Sequence, residues 1–158
     1  MKNGFFPFFV ISMDKEIVIQ QIQKLTKEKV EGLQKLIDET RSSNNDTKSS
    51  MGDKYETGRE MLQQEINQLQ GQLNQALELQ RIADKLSIQL SECIESSALA
   101  NTNKGFFFFG ISLGKMDLDG KTLMCISMDA PLAKVLAGKS KGDSIAFNGM
   151  DFQLIEIF

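Results

Sequence analysis

Residues 41–53 read Arg-Ser-Ser-Asn-Asn-Asp-Thr-Lys-Ser-Ser-Met-Gly-Asp, with almost no apolar content. Asn44, Asn45, Ser49, Ser50 and Gly52 are turn formers, so this stretch is predicted to reverse the chain. What flanks it decides the fold. Upstream, from Asp14 to about Thr40, the residues Ile19, Ile22, Leu25, Lys29, Leu33, Leu36 and Thr40 recur at steps of three and four, the period of a helix. Downstream, Leu62, Ile66, Leu69, Leu73, Ala76, Gln80, Ala83, Ser87 and Leu90 alternate steps of four and three. That is a heptad seam with two polar faults, Gln80 and Ser87. Gln, Glu and Lys fill the remaining faces. Two amphipathic helices around one polar turn form an antiparallel hairpin most economically, because each stripe then buries the other. At ~1.5 Å per residue the first helix alone would be ~40 Å long. The stripes are narrow, whereas helices laid on a globular body carry wider apolar faces. Residues 13–95 are therefore expected to form a hairpin whose tip, 41–56, is held far from the rest of the chain.

Working outward, residues 1–12 (Met-Lys-Asn-Gly-Phe-Phe-Pro-Phe-Phe-Val-Ile-Ser) are apolar but short. A membrane span needs ~20 apolar residues, and a secretory signal needs a small-residue cleavage site that is missing here. They are expected to be an N-terminal extension, with Met13 as the natural start. On the other side, residues 96–104 are small and polar and read as a linker. From Gly105 to Phe158 the texture is that of a small α+β domain. Phe106–Leu113 reads as a strand through a core. Asp119-Gly120 reads as a hairpin turn, and Leu123–Ser127 as the return strand. Pro131–Ala137 reads as a short helix opened by Pro and stopped by Gly138. Ser144–Phe147, Asn148-Gly149 and Phe152–Ile157 make a second hairpin. The fold class expected is α+β: an antiparallel helical hairpin followed by a small α+β domain.

Composition removes whole classes of function. The chain of 158 residues has no His. No Ser-His-Asp triad, Cys-His dyad or His-ligated metal centre can be built. Cys93 and Cys125 lack C-x-x-C spacing and read as free thiols of a reducing, cytoplasmic protein. Residues 14–95 hold 15 acidic and 11 basic side chains, and residues 96–158 hold six of each. Neither part is a basic platform for nucleic acid.

The remaining chemistry lies in carboxylates, Lys, Tyr55 and the thiols. Asp53 and Glu56, in Gly52-Asp53-Lys54-Tyr55-Glu56, open the second helix at the tip. Spacing of i, i+3 places them on one helical face, where their oxygens can share a hard divalent cation such as Mg²⁺ or orient a water. A structural alternative stands beside this: Asp at an N-cap with Glu three residues on approaches a capping box. Ser50-x-x-Asp53 is a competing box that would release Glu56. Tyr55 could touch a partner or pack beside the tip. Gly138-Lys139-x-x-Gly142-Asp143 lacks phosphate-loop spacing and reads as a turn.

Two segments resemble a known family, the Gre transcript-cleavage factors of bacteria, GreA and GreB. Gly52-Asp53-Lys54-Tyr55-Glu56 is similar to the family's G-D-x-x-E. Ala130-Pro131-Leu132-Ala133-Lys134-Val135-Leu136-Ala137-Gly138-Lys139-Ser140-Lys141-Gly142-Asp143 is similar to its S-P-[IL]-x-x-A-L-[IL]-G-K-x-x-G-D. The resemblance implies a coiled coil joined to an FKBP-like C-terminal domain, and an accessory factor rather than an enzyme. It implies that the coil enters the secondary channel of RNA polymerase. There Asp53 and Glu56 would help hold the second catalytic Mg²⁺ and activate water for cleavage of backtracked RNA, with no metal held in isolation. The partner would be RNA polymerase, with nascent RNA met only through it, and no membrane or direct DNA contact. Tyr55, Pro131, Leu132, Gly138 and Lys139 are the residues so assigned to partner binding. Thr57, Arg59 and Glu60 stand where the family carries Asn, Glu and Tyr. Alternative functions are a polymerase-binding regulator that does not stimulate cleavage, and a coiled-coil adaptor unrelated to transcription.

Overall fold

The structure is a computed structural model, and it describes residues 13–46 and 52–158, with side chains in the helices described up to 43 and from 56 onward. The expected N-terminal extension, 1–12, lies outside the described residues. The chain divides into two compact units: the described residues up to Ile22 together with Lys85–Phe158, and Gln23–Asp84. Both helices and sheet are present, and the fold is α+β.

Helix α1 spans Lys15–Asp46 (32 residues) and α2 spans Gly52–Asp84 (33 residues). Asp14 starts α1 by accepting the Glu16 N–H at 2.9 Å, which satisfies one of the free amides of the first turn. Within Gln23–Asp84 the helices run antiparallel. Gln23 Nε2 donates to Ala83 O at 3.2 Å. Fourteen residues on from Gln23 lies Ile37; fourteen back from Ala83 lies Leu69; and Ile37 packs with Leu69 and Leu73, flanked by Val30 and Leu33.

The seam on α2 is the expected one through Ile66, Leu69, Leu73, Ala76 and Ala83, all buried. Its last two steps are not. α2 ends at Asp84, so Ser87 and Leu90 are outside it, and Leu90 is 77% exposed. The cause is tertiary: the Ser87 amide is taken by Ser97 Oγ at 2.9 Å, which draws the chain out of the helix. On α1 the seam is rotated by one residue at two places. Leu25 and Leu36, expected inside, are exposed, while Thr26 and Ile37 are buried. Lys29 is exposed as well. Thr26 and Thr40 enter the seam without an orphaned hydroxyl. Each donates back into its own helix, to Gln23 O at 3.0 Å and Leu36 O at 2.8 Å.

The other unit is a six-stranded sheet of order β3-β4-β2-β1-β6-β5. Its strands are β1 (Leu99–Thr102), β2 (Gly105–Phe109), β3 (Gly114–Leu118), β4 (Lys121–Ile126), β5 (Ser144–Phe147) and β6 (Met150–Ile157), with helix α3 at Pro131–Leu136. All pairings are antiparallel except β2 with β4. One face, with Ala100, Phe109 and Leu154, packs under Ala133 and Leu136 of α3. Leu99, Phe108, Leu123 and Cys125 are also fully buried, and register places them together on the opposite face.

The stretch 96–104, expected as a linker, instead contains β1, an interior strand paired on both sides. Its small residues are what the packing requires: Ala98 and Ala100 sit in the α3 core. Its polar ones close a turn, with Thr102 Oγ1 donating to Gly105 O at 2.8 Å. The sheet domain therefore starts before Gly105. The expected strand Phe106–Leu113 also breaks, at Gly110. There φ is +121°, and a Cβ would lie 2.9 Å from Ser96 Oγ and 3.1 Å from Ser97 N. Only glycine tolerates both constraints. The turns at Asp119-Gly120 and Asn148-Gly149 occur where expected, with positive φ at all four residues.

Candidate functional site

The candidate acids lie at the start of α2. The helix begins at Gly52, so the Asp53 and Glu56 positions occupy its first two turns, three residues apart and on one face. Negative charge is favoured there by the helix dipole and the free amides. The side chains of Asp53 and Tyr55 lie outside the described residues. Glu56 is exposed. With Arg59, Glu60 and Gln63 it lines a shallow, open hollow of about 420 Å³. These positions follow at i, i+3, i+4 and i+7, so one helix face carries two carboxylates with a guanidinium between them. Among the described residues no group of three or more His, Cys, Asp or Glu could hold a metal ion.

The second expected set lies on and after α3. Pro131 is exposed at the helix start, and Leu132 is half-buried against the α3 core. Gly138 adopts φ +79° just past the helix, the left-handed stop that favours glycine. Its amide donates to Ile94 O at 2.8 Å, and Lys139 O accepts from Ile94 N at 2.8 Å. The backbone of this pair is thus spent on an internal bridge that includes Cys93 and Ser140, leaving the exposed Lys139 side chain as the outward group. The following residues form a turn, as their spacing suggested. Asp143 Oδ2 accepts from Ser140 N at 2.8 Å, and Gly142 N donates to Leu154 O at 2.8 Å.

Neither thiol is poised for chemistry as a pair. Cys93 and Cys125 are both free, and burial pushes the Cys125 thiol up to about 12, which removes it as a nucleophile at neutral pH. A larger open groove of about 810 Å³ runs along the helical hairpin, with Val30, Leu73 and Leu77 as its apolar part.

One feature carried no signal in the sequence. Lys15 is 4% exposed. Its ammonium donates to Gln89 O, to Ser91 Oγ at 3.3 Å and to Phe158 O at 3.2 Å. Burial lowers its pKa below the ordinary lysine value, and the charge of Glu95 opposes that shift. A lysine between Asp14 and Glu16 at a helix start reads as surface charge, because its acceptors come from residues more than seventy positions away.

No helix among the described residues is long and apolar enough to cross a membrane. No protein-family model matches the chain, and no curated protein matches it. Solved structures with some similarity include the transcription factor Gfh1. It is 17% identical, with 86% of this chain and 92% of that chain covered and a TM-score of 0.38. They also include GreA factor homolog 1 (Gfh1) of Thermus thermophilus, 17% identical, with 89% and 92% covered and a TM-score of 0.33. Likenesses at this level carry no argument about family or function.

Proposed function

We propose that this chain is a Gre-like accessory factor of RNA polymerase. Its helical hairpin enters the secondary channel and presents Asp53 and Glu56 to the polymerase active site, where backtracked RNA is cleaved. The observation that carries this reading is positional. Two acids, three residues apart, stand in the first two turns of the second of two antiparallel helices. The sheet unit, with the Pro131–Asp143 segment, is assigned to docking on the polymerase as an FKBP-like domain, through Pro131, Leu132 and Lys139, while Gly138 shapes the loop. Tyr55 is assigned a supporting contact beside the tip. The place of action is the cytoplasm, where the polymerase is.

The donor set suits Mg²⁺ in kind, since carboxylate oxygens are its preferred ligands, but two carboxylates are too few to retain it. Asp53 and Glu56 would therefore complete a metal site whose other ligands belong to the polymerase. That metal supplies charge neutralisation and a more acidic water. The chain's own part is to hold that water in line and accept its proton at a carboxylate oxygen. The polymerase owns the reaction, and this chain is not itself an enzyme.

A stalled, backtracked polymerase is mixed with the protein and Mg²⁺, and RNA length is followed. Shortening is expected, falling by about 10²-fold in Asp53→Asn or Glu56→Gln with polymerase binding retained. A second reading, a polymerase-binding regulator without cleavage, is favoured by Arg59. It places a positive charge between Glu56 and Glu60 on the same face, where it competes with a cation for the carboxylates. Binding with RNA left intact selects that reading. Failure to retain any polymerase subunit selects an adaptor unrelated to transcription.

A further inference from the structure

Lys15 is the buried charged side chain of the described residues, and its surroundings match it donor for donor. An ammonium has three N–H groups. Here they meet Gln89 O, Ser91 Oγ and Phe158 O. The first two acceptors belong to the irregular segment between α2 and β1; the third belongs to the residue that follows β6. Among the described residues no Asp or Glu side chain lies within ion-pair distance of Lys15. Glu95 adds only a longer-range attraction. Withdrawing a charge from water is a costly way to fill space. A methionine would pack the same stem without any desolvation cost. What the lysine adds is geometry, because three acceptors from two separate segments fix one ammonium at one point.

We propose that Lys15 is a positioning residue that clamps the root of α1, Lys15–Ile22, to the 89–91 segment and to the residue after β6, so that the start of the hairpin's first helix has one fixed direction. The root contains Val18, Ile19 and Ile22, all buried within the same compact unit. Their burial needs the root in place, and the clamp is the polar part of what keeps it there. For the tip acids the consequence rests on the reading under Proposed function. A long helix passes any error at its root on to its far end, so a loosened root would lower cleavage more than binding.

Amide hydrogen exchange on the full chain tests the clamp without any polymerase. In Lys15→Met, exchange at Ile19 and Ile22 is expected to speed up by about tenfold or more, while Phe108 and Cys125 in the sheet change by less than about twofold. Lys15→Arg, which keeps charge and donors, is expected to hold the root within about threefold of wild type. Unchanged exchange at Ile19 and Ile22 in Lys15→Met overturns the proposal. So does an equal gain at root and sheet, which would make Lys15 an ordinary part of one core. If Lys15→Met does not fold, Ser91→Ala removes a single acceptor and must show the same local pattern at smaller amplitude. No change there overturns the proposal equally. In the RNA-shortening assay Lys15→Met is expected to lose about tenfold in cleavage with binding within about threefold. A wild-type chain that neither binds nor cleaves sinks the polymerase reading, and the exchange pattern still decides the clamp.

Discussion

The sheet and the helical hairpin bury their side chains in different ways. Phe108 and Phe109 are neighbours in β2, alternate to opposite faces, and are both fully buried. A strand inside this sheet can thus place core residues on both of its faces. α2 has 33 residues, yet among its described side chains the buried ones are Ile66, Leu69, Leu73, Ala76 and Ala83, about one per turn. The partner seam on α1 even admits Thr26 and Thr40. Apolar area removed from water is the dominant favourable contribution to folding. The hairpin is therefore the region that opens more readily, and the sheet is the region that holds.

The largest test of that contrast is Phe108→Ala. It should cost about 3–5 kcal/mol and lower the thermal midpoint of the sheet's near-ultraviolet signal most of all the variants. Leu73→Ala comes next, at about 2–4 kcal/mol. Amide exchange should accelerate within Gln23–Asp84 and leave β2 and β4 unmoved. Acceleration spread evenly over both regions would mean that they unfold as one, and the contrast would be lost.

A smaller effect separates the regions by pH. Lys15 belongs to the sheet unit, and its folded pKa is lowered, chiefly by burial. Between that lowered value and the ordinary 10.5 the unfolded chain binds more protons than the folded one. Stability should therefore rise with pH through that window and lie at its lower level below it. Urea titrations across the alkaline range should show the rise in wild type and lose it in Lys15→Met. An identical slope in both proteins would remove Lys15 as its source. The smallest change expected is Thr26→Val. The hydroxyl bonds only to its own helix, so its removal should stabilise the hairpin by no more than about 1 kcal/mol. A loss beyond that would show the hydroxyl holding something other than Gln23 O.

Much of this was legible before any coordinates. The two long helices, the α2 seam as far as Ala83 and both hairpin turns of the sheet announce themselves through period and through residues that tolerate positive φ. The stretch 41–53, expected to be a turn throughout, is not: α1 continues through Arg41–Asp46 and α2 already includes Gly52 and Asp53, because polar side chains that favour turns are also tolerated on the exposed face of a helix. The other failures share one cause. On α1 the larger Leu25 and Leu36 looked like the better seam residues, but the antiparallel partner takes Thr26 and Ile37. In 96–104, Ala and Thr looked like a linker because nothing local shows that small side chains are needed under α3. For the candidate site, the pairing of Asp53 with Glu56 is legible as spacing on a helix. The commitment of the Gly138 amide and Lys139 carbonyl to Ile94 is not, because that partner is more than forty residues away.

What the sequence by itself determined is local and periodic: two long helices, then short strands separated by glycine turns, with two acids at the start of the second helix. These follow from backbone sterics and from which side chains repeat on one face, and neighbours in the chain suffice to set them. Only the tertiary structure decided where α2 stops, which residues face inward on α1, that β1 lies inside the sheet, and that Lys15 is buried. Each of those depends on a hydrogen bond or a packing partner supplied by a distant segment. A residue's own chemistry does not specify such a partner until the chain has folded around it.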